Sequence, residues 1–167
     1  MASVLSANID LLISSLFRNT LDLNIVDSKV DYRVTQALAE GAGAGQANQR
    51  WHDRRQLIST SEEIDLAGGE TNEVGEPVTV AKIKALVIYN RNTGTGENLT
   101  IGGAAAYAFV NWVGDATDKI VLGPKSAIIL INPDDGYAVT ADTGDLLKID
   151  SGGNTVDYDI VLIGVKA

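Results

Sequence analysis

The sequence has no cysteine and a single histidine, His52, among its 167 residues. The missing cysteines exclude a disulfide framework and thiolate sites for zinc or iron–sulfur clusters. Aromatic residues make up only 5% of the chain, so the core must consist mainly of Val, Ile, Leu and Ala. No apolar run approaches the roughly 20 residues that a membrane-spanning helix requires, so we expect no membrane partner.

Positive charge is also scarce, with 13 Lys and Arg against 22 Asp and Glu, which gives a net charge of −9. The negative electrostatic field of such a protein repels the phosphate backbone of nucleic acids, so we expect no nucleic-acid partner. The first residues lack the positively charged start of a secretory signal peptide. We therefore expect synthesis in a cytoplasm.

The side chains that carry most enzyme mechanisms are nearly missing. Asp53 follows His52, but no Gly-x-Ser-x-Gly nucleophile elbow occurs in the sequence. Acidic pairs such as 134–135 fit turn chemistry better than the paired carboxylates of a glycosidase. The loop oxygens at 142–145 lack the spacing of a calcium-binding EF-hand. We predict no catalytic residue, no metal site and no cofactor, and therefore a protein that is not an enzyme.

The second half of the chain, from Pro77 onward, alternates short apolar runs with turns rich in Gly, Asp and Asn. The connections are too short for crossover helices, so the strands must pair mainly antiparallel. With one to three strands before Pro77, seven to nine short strands in one domain predict an all-β, antiparallel β-sandwich that is jelly-roll-like, and a small barrel is the alternative. The strands predicted in this half cover residues 83–89, 99–101, 120–122, 127–131, 137–140, 146–149 and 156–162.

The first of these strands is apolar on both faces. Ala85 and Val87 share one face, and Leu86 and Ile88 share the other. This pattern is typical of a strand with other elements packed on both sides. We therefore expect both of its faces to be covered.

The N-terminal segment supports two alternatives. Apolar residues recur at helical spacing and predict a short amphipathic helix, on a face formed by Ile9, Leu12, Ile13, Leu16 and Phe17. An alternating pattern indicates instead an extended arm, and it is formed by Leu21, Leu23 and Ile25. We predict an N-terminal arm or short helix at residues 1–31 and a β-sandwich domain at residues 32–167. Leu12, Leu16 and Phe17 are candidate assembly contacts.

A second candidate contact is the cluster of Trp51 with the neighbouring Arg50, Arg54 and Arg55. Trp and Arg are enriched in interface hot spots, and guanidinium groups pair well with carboxylates. We predict that Trp51, Arg54 and Arg55 form an assembly contact. An intramolecular Trp–Arg stack is the alternative. The next strand is predicted to begin only after this cluster, at Gln56.

Three aromatic residues, Tyr107, Phe109 and Trp112, lie in one long loop. An exposed aromatic cluster of this kind favours a receptor- or carbohydrate-binding module, such as a fibre or head-spike tip. The alternative is a loop that packs down over the end of the sandwich. The sequence leaves both open.

The order of features from about Tyr32 to the C-terminus resembles a known group of proteins. It comprises the glycine-rich stretch 41–45, the segment Gln46-Ala47-Asn48-Gln49-Arg50-Trp51-His52-Asp53, the runs 64–68 and 78–88, and the closing Asp157-Tyr158-Asp159-Ile160. This order is similar to that of small virion proteins of tailed bacteriophages, which include capsid decoration or cement proteins with jelly-roll-like folds.

The resemblance implies a structural virion protein on the outer surface of an icosahedral capsid. Its partners would be the major capsid protein, whose neighbouring subunits it bridges, and other copies of itself in a homo-oligomer. It implies no site residues.

Overall fold

The computed structural model describes residues 4–167 and is all-β, with no helix in that range. This confirms the predicted fold class. Residues 4–167 contain no helix that is long and apolar enough to cross a membrane.

The described residues form fourteen strands. In chain order they are β1 Ala7–Thr20, β2 Ile25–Glu40, β3 Gln46–Ala47, β4 Gln49–Ile58, β5 Ser61–Asp65, β6 Glu70–Thr71, β7 Pro77–Val78, β8 Val80–Asn90, β9 Leu99–Gly102, β10 Lys119–Leu122, β11 Ala127–Ile131, β12 Tyr137–Ala138, β13 Leu146–Asp150 and β14 Thr155–Lys166.

Nine of these strands form two antiparallel sheets, one of four strands and one of five, in which the short strand β12 also pairs with β8; the other eight strands have a nested order. One sheet has the order β11-β8-β14-β4 and the other has the order β10-β9-β13-β5. Taken in chain order, the first of the eight strands pairs with the last, the second with the seventh, the third with the sixth and the fourth with the fifth. This nested pairing in two sheets is the arrangement of a jelly roll, so the predicted sandwich is confirmed.

The core fills the space between the sheets and is mostly aliphatic, as the scarcity of aromatic residues predicts. On the central strands, Ile88 opposes Ile160 and Leu86 opposes Leu162 in register, and all four side chains are fully buried. Each buried aliphatic side chain of this size stabilises the fold by roughly 1.5–3 kcal/mol. The central pair β8–β14 is therefore a major source of stability.

Strands β1 and β2 form a long antiparallel hairpin, here called the arm. Fourteen consecutive residue pairs join the strands, from Ala7–Leu38 to Thr20–Ile25. At about 3.4 Å per residue the arm is about 45 Å long. Every residue from 12 to 33 is exposed, so the outer part of the arm makes little contact with the sandwich.

The helix alternative for the N-terminal segment is therefore wrong, and the extended alternative describes it. The apolar residues of β1 fit a helical face, but β1 pairs with β2 along fourteen consecutive residues, and this pairing fixes the segment as a strand. The β2 strand continues through residue 31 without interruption and ends at Glu40.

The base of the arm is anchored on the sandwich. Leu38 is fully buried, and β2 pairs with the short strand β3 in parallel. The backbone N–H of Gly45, in the glycine-rich turn between these strands, donates to the carbonyl oxygen of Pro133 at 3.0 Å. The anchor thus begins near residue 38, beyond the exposed part of the arm.

Deleting residues 1–36 should leave the sandwich folded, because the deletion spares Leu38 and the β2–β3 contact. We expect a single cooperative thermal transition, with little change in melting temperature, measured by circular dichroism. As a control, Leu38→Ala in the full chain should lower the melting temperature, since it removes a buried side chain. Loss of the cooperative transition in the deletion variant would show that the arm belongs to the folding unit.

Candidate assembly surfaces

One face of the arm pairs its own charges. Arg33 Nε donates to Asp10 Oδ1 at 2.8 Å, and Arg18 Nε donates to Asp27 Oδ1 at 2.7 Å. The hydrogen bond from Arg33 holds the pKa of Asp10 below its usual value, and Arg18 does the same for Asp27. Both carboxylates therefore stay charged and paired at neutral pH, and this face suits contact with water.

The opposite face of the arm contains no charged residue. Side chains alternate along a strand, and directly opposed residues share a face, so the register assigns its members. They are Ala7, Ile9, Leu11, Ile13, Ser15, Phe17 and Asn19 on β1, and Val26, Ser28, Val30, Tyr32, Val34, Gln36 and Leu38 on β2. We call this the apolar face of the arm, and its outer half is solvent-exposed.

The three residues predicted as arm contacts separate between the two faces. Phe17 lies on the apolar face and is 76% exposed. Leu12 and Leu16 lie on the charged face, opposite Arg33 and Lys29. The helical spacing that grouped the three residues does not apply to a strand, so Phe17 alone is placed on the uncovered apolar surface.

The Trp–Arg cluster is divided in the same way, because it lies within a strand. The structure begins β4 at Gln49, so the prediction that the strand begins at Gln56 is wrong. Trp51 and Arg55 point to the inner side of the sheet, and Arg54 points to the outer side. Four of the ten residues of β4 are charged, and its outer side carries Arg50, His52 and Arg54, so apolar alternation alone does not indicate a strand here.

Arg55 is the centre of an intramolecular network. It donates to Asp53 at 3.0 Å, to Glu62 at 2.6 Å and to Glu70 at 2.5 Å. Its guanidinium carbon lies 5.2 Å from the centroid of the Trp51 ring. Although burial alone lowers the pKa of Arg55, the bonds to Glu62 and Glu70 raise that pKa well above its usual value, so Arg55 stays charged.

Trp51 is only 2% exposed. With Arg55 stacked against it, the pair forms the intramolecular Trp–Arg stack that the sequence left open. The Tyr158 hydroxyl extends the network by donating to Glu62 at 2.5 Å. Burial and this hydrogen bond raise the pKa of Tyr158 well above its usual value, so it remains a donor.

The network closes one flank of the sandwich. The segment between β5 and β8 contains β6 and β7, and it is tied to β4 by the ion pairs Arg55–Glu70 and Arg50–Glu73. The chain thus covers its own edge at β4 and β5. Covering an edge and placing charges on it are common ways to prevent unwanted strand pairing.

Arg54 behaves as a surface residue. Its side chain is 66% exposed and its Nε lies 2.8 Å from Asp159, which Arg91 also contacts at 2.6 Å. Burial opposes the charged form of Asp159, but these two arginines outweigh it and lower its pKa. Contact with a partner stays a prediction for Arg54.

The aromatic loop packs down over the end of the sandwich. Phe109 is part of the buried core. Trp112 packs against this core, and the Nε1 of Trp112 donates to the Phe109 carbonyl oxygen at 2.9 Å. Tyr107 alone is exposed, at 55%. The arrangement does not present three aromatic rings to a ligand.

The described residues contain no group of three or more His, Cys, Asp or Glu arranged to hold a metal ion. His52 is exposed on β4, with its Nε2 4.0 Å from Glu73.

Comparison with known proteins identifies no relative by sequence, since no protein-family model and no curated protein matches the chain. Two solved structures are similar in part. One is described as a crystal structure of PirA, with a TM-score of 0.37 and 14% identity, covering 68% of this chain and 93% of that chain. The other comes from work on Bacillus endospore appendages as disulfide-linked pili, with a TM-score of 0.33 and 16% identity, covering 77% and 97%. At these TM-scores neither carries an argument about function.

Arg55→Ala should destabilise the fold much more than Arg54→Ala. The first change leaves Glu62 and Glu70 without their shared cation, and breaking such an internal network costs about 3 kcal/mol. The second removes a surface ion pair worth at most about 1 kcal/mol. Urea unfolding of both variants measures the difference. Equal losses of unfolding free energy would mean that the Arg55 network does not hold the flank closed.

Proposed function

We propose that this chain is a structural virion protein of the capsid-decoration type. It binds the outside of an icosahedral phage capsid and stabilises the shell by bridging neighbouring subunits of the major capsid protein. It acts by burying surface and catalyses no reaction. The observation that carries the proposal is the arm, whose apolar face has no cover in the outer half.

An arm of this kind is stabilised when a partner buries its apolar face. An isolated two-stranded hairpin is marginally stable in water, and exposed contiguous apolar patches mark interaction sites. The exposed outer half of the face, at residues 13–19 and 26–32, is about 24 Å long and about 10 Å wide, so it offers roughly 240 Å² to a partner. The opposite face carries paired charges, so docking the apolar face does not strip water from an unpaired charge.

A protein that binds a capsid through such an arm would stabilise the capsid by mass action. A protein that binds only the assembled lattice shifts the equilibrium toward that lattice. Jelly rolls occur in viral capsid proteins and also in lectins, so the fold by itself does not decide the function. The resemblance to small phage virion proteins favours the capsid.

The receptor- or carbohydrate-binding alternative has less support. It needs several aromatic side chains exposed together, whereas two of the three in the loop pack against the core and leave Tyr107 alone.

Phe17→Asp should weaken capsid binding, whereas Leu16→Asp should not. Both residues are exposed neighbours on β1 that lie on opposite faces of the arm. Burying a Phe side chain is worth roughly 1.5–3 kcal/mol, which corresponds to about a 10- to 100-fold loss of affinity. The measurement is cosedimentation with undecorated capsids assembled from the major capsid protein of the same genome.

The matched variant Leu16→Asp controls for added charge and should bind within about threefold of the unchanged chain, since no burial is lost. Equal binding by the two variants would remove the apolar face from the interface. Failure of the unchanged chain to bind these capsids would overturn the decoration role.

A further inference from the structure

The outer face of the sheet β11-β8-β14-β4 is a second apolar surface. Three rows of opposed residues cross it. They are Ala127–Tyr89–Asp159–Arg54, Ile129–Val87–Val161–His52 and Ile131–Ala85–Ile163–Arg50. Apolar side chains predominate on β11, β8 and β14, with Tyr89 and Asp159 as the exceptions, and basic or imidazole side chains occupy β4.

This surface is only partly covered in the described chain. Val161 is 37% exposed and Ile129 is 44% exposed, and Val87 between them is half-buried. A sheet face that meets water is normally polar. The sequence predicts cover on both faces of β8, but within the described chain only the inner face packs against the core. A second molecule is needed to complete the burial.

We infer that the outer face of this sheet receives the arm of a second copy of this chain, with the apolar face of the arm packed against it. Face-to-face packing of two sheets is the ordinary way to bury one apolar face against another. The inference rests on that part of the proposed function which makes the arm an assembly element. In the absence of a capsid, it places a second copy on the same apolar face that decoration would bury against the capsid.

Interface area favours this arrangement in a closed oligomer. The three rows and four strands cover about 20 Å by about 19 Å, or roughly 400 Å², which is large enough to receive the roughly 240 Å² of the exposed outer half of the arm. Stable interfaces bury roughly 800 Å² per partner. One arm on one sheet falls well short of this area, but two copies that exchange arms bury about 480 Å² per partner, or about 1,000 Å² in total, which reaches the lower bound for a specific interface.

Charge favours packing of an arm against a sheet over packing of two arms against each other. Residues 4–40 contain five acidic and three basic residues, a net charge of −2. The receiving face is bordered by Arg50 and Arg54, whose side chains are 48% and 66% exposed. Two arms packed together would bring like net charges together, whereas Arg50 and Arg54 on the receiving face are already paired with Glu73 and Asp159 and add no repulsion.

The shape of the receiving face also suits an inserted side chain. An open groove runs along β4 and β14, lined by His52, Arg54, Asp159 and Val161. The exposed Phe17 ring supplies a side chain of the kind that anchors interfaces by filling such a groove.

The first test is the mass of the full-length chain in solution, by light scattering after size exclusion and by sedimentation equilibrium. We expect the unchanged chain to form a closed oligomer of fixed mass. Phe17→Asp, on the arm, and Val161→Asp, on the sheet, should each weaken association at least tenfold and yield monomers with unchanged circular dichroism. Leu16→Asp, on the charged face of the arm, should keep the oligomer.

The second test identifies which surfaces meet. The chain has no cysteine, so single-cysteine variants report one position each. Ser15→Cys lies on the apolar face of the arm, and Ala127→Cys lies on the outer face of the sheet. When the two variants are mixed with a short bismaleimide cross-linker, we expect products that join one variant to the other.

Products that join only Ser15→Cys chains would show arm-to-arm packing and overturn the inference, as would a monomeric unchanged chain at all concentrations. The decoration role is judged separately. A monomer that still binds capsids would overturn this inference alone, and an arm-linked oligomer that ignores capsids would overturn decoration alone.

Discussion

The antiparallel pairing of β8 with β14 is the contact on which the rest of the structure depends. It joins two strands about seventy residues apart and brings β4 and β11 to either side of them. Because side chains alternate along a strand, the register that buries Ile88 against Ile160 also places Val87 beside Val161 on the outside. A filled core and an uncovered apolar outer face are therefore two consequences of one register.

The same alternation explains how far the sequence predicts the fold and the site. After Pro77, Gly, Asp and Asn turns delimit the apolar runs, so the strands and the sandwich were predictable. The arm was ambiguous because the spacing of Ile9, Ile13 and Phe17 fits a helix, and its strand partners begin only at Ile25. The β4 strand was missed because its outer face is charged, so apolar residues alone did not reveal it.

Residues adjacent in the sequence consequently have different roles. Arg54 and Arg55 are chemically identical, but one pairs with Asp159 at the surface and the other holds Glu62 and Glu70 beneath the β6–β7 segment. A cluster read from sequence treats them as one contact. The two arginines differ in the side of the sheet on which they lie, and this makes one an interface candidate and the other a structural clamp. The side is fixed by the long-range pairing of β4 with β14.

The charged residues are unevenly distributed over the surface, and this distribution indicates how the chain associates. At β4 and β5 it closes its own flank with ion pairs. On the arm it pairs its charges on one face and leaves the other apolar, and on the outer sheet it places Val and Ile where water-facing sheets carry polar residues. Without cysteine, no disulfide can lock the two uncovered surfaces to a partner. Their burial must be non-covalent, so it depends on the concentration of the chain and on several contacts closing together.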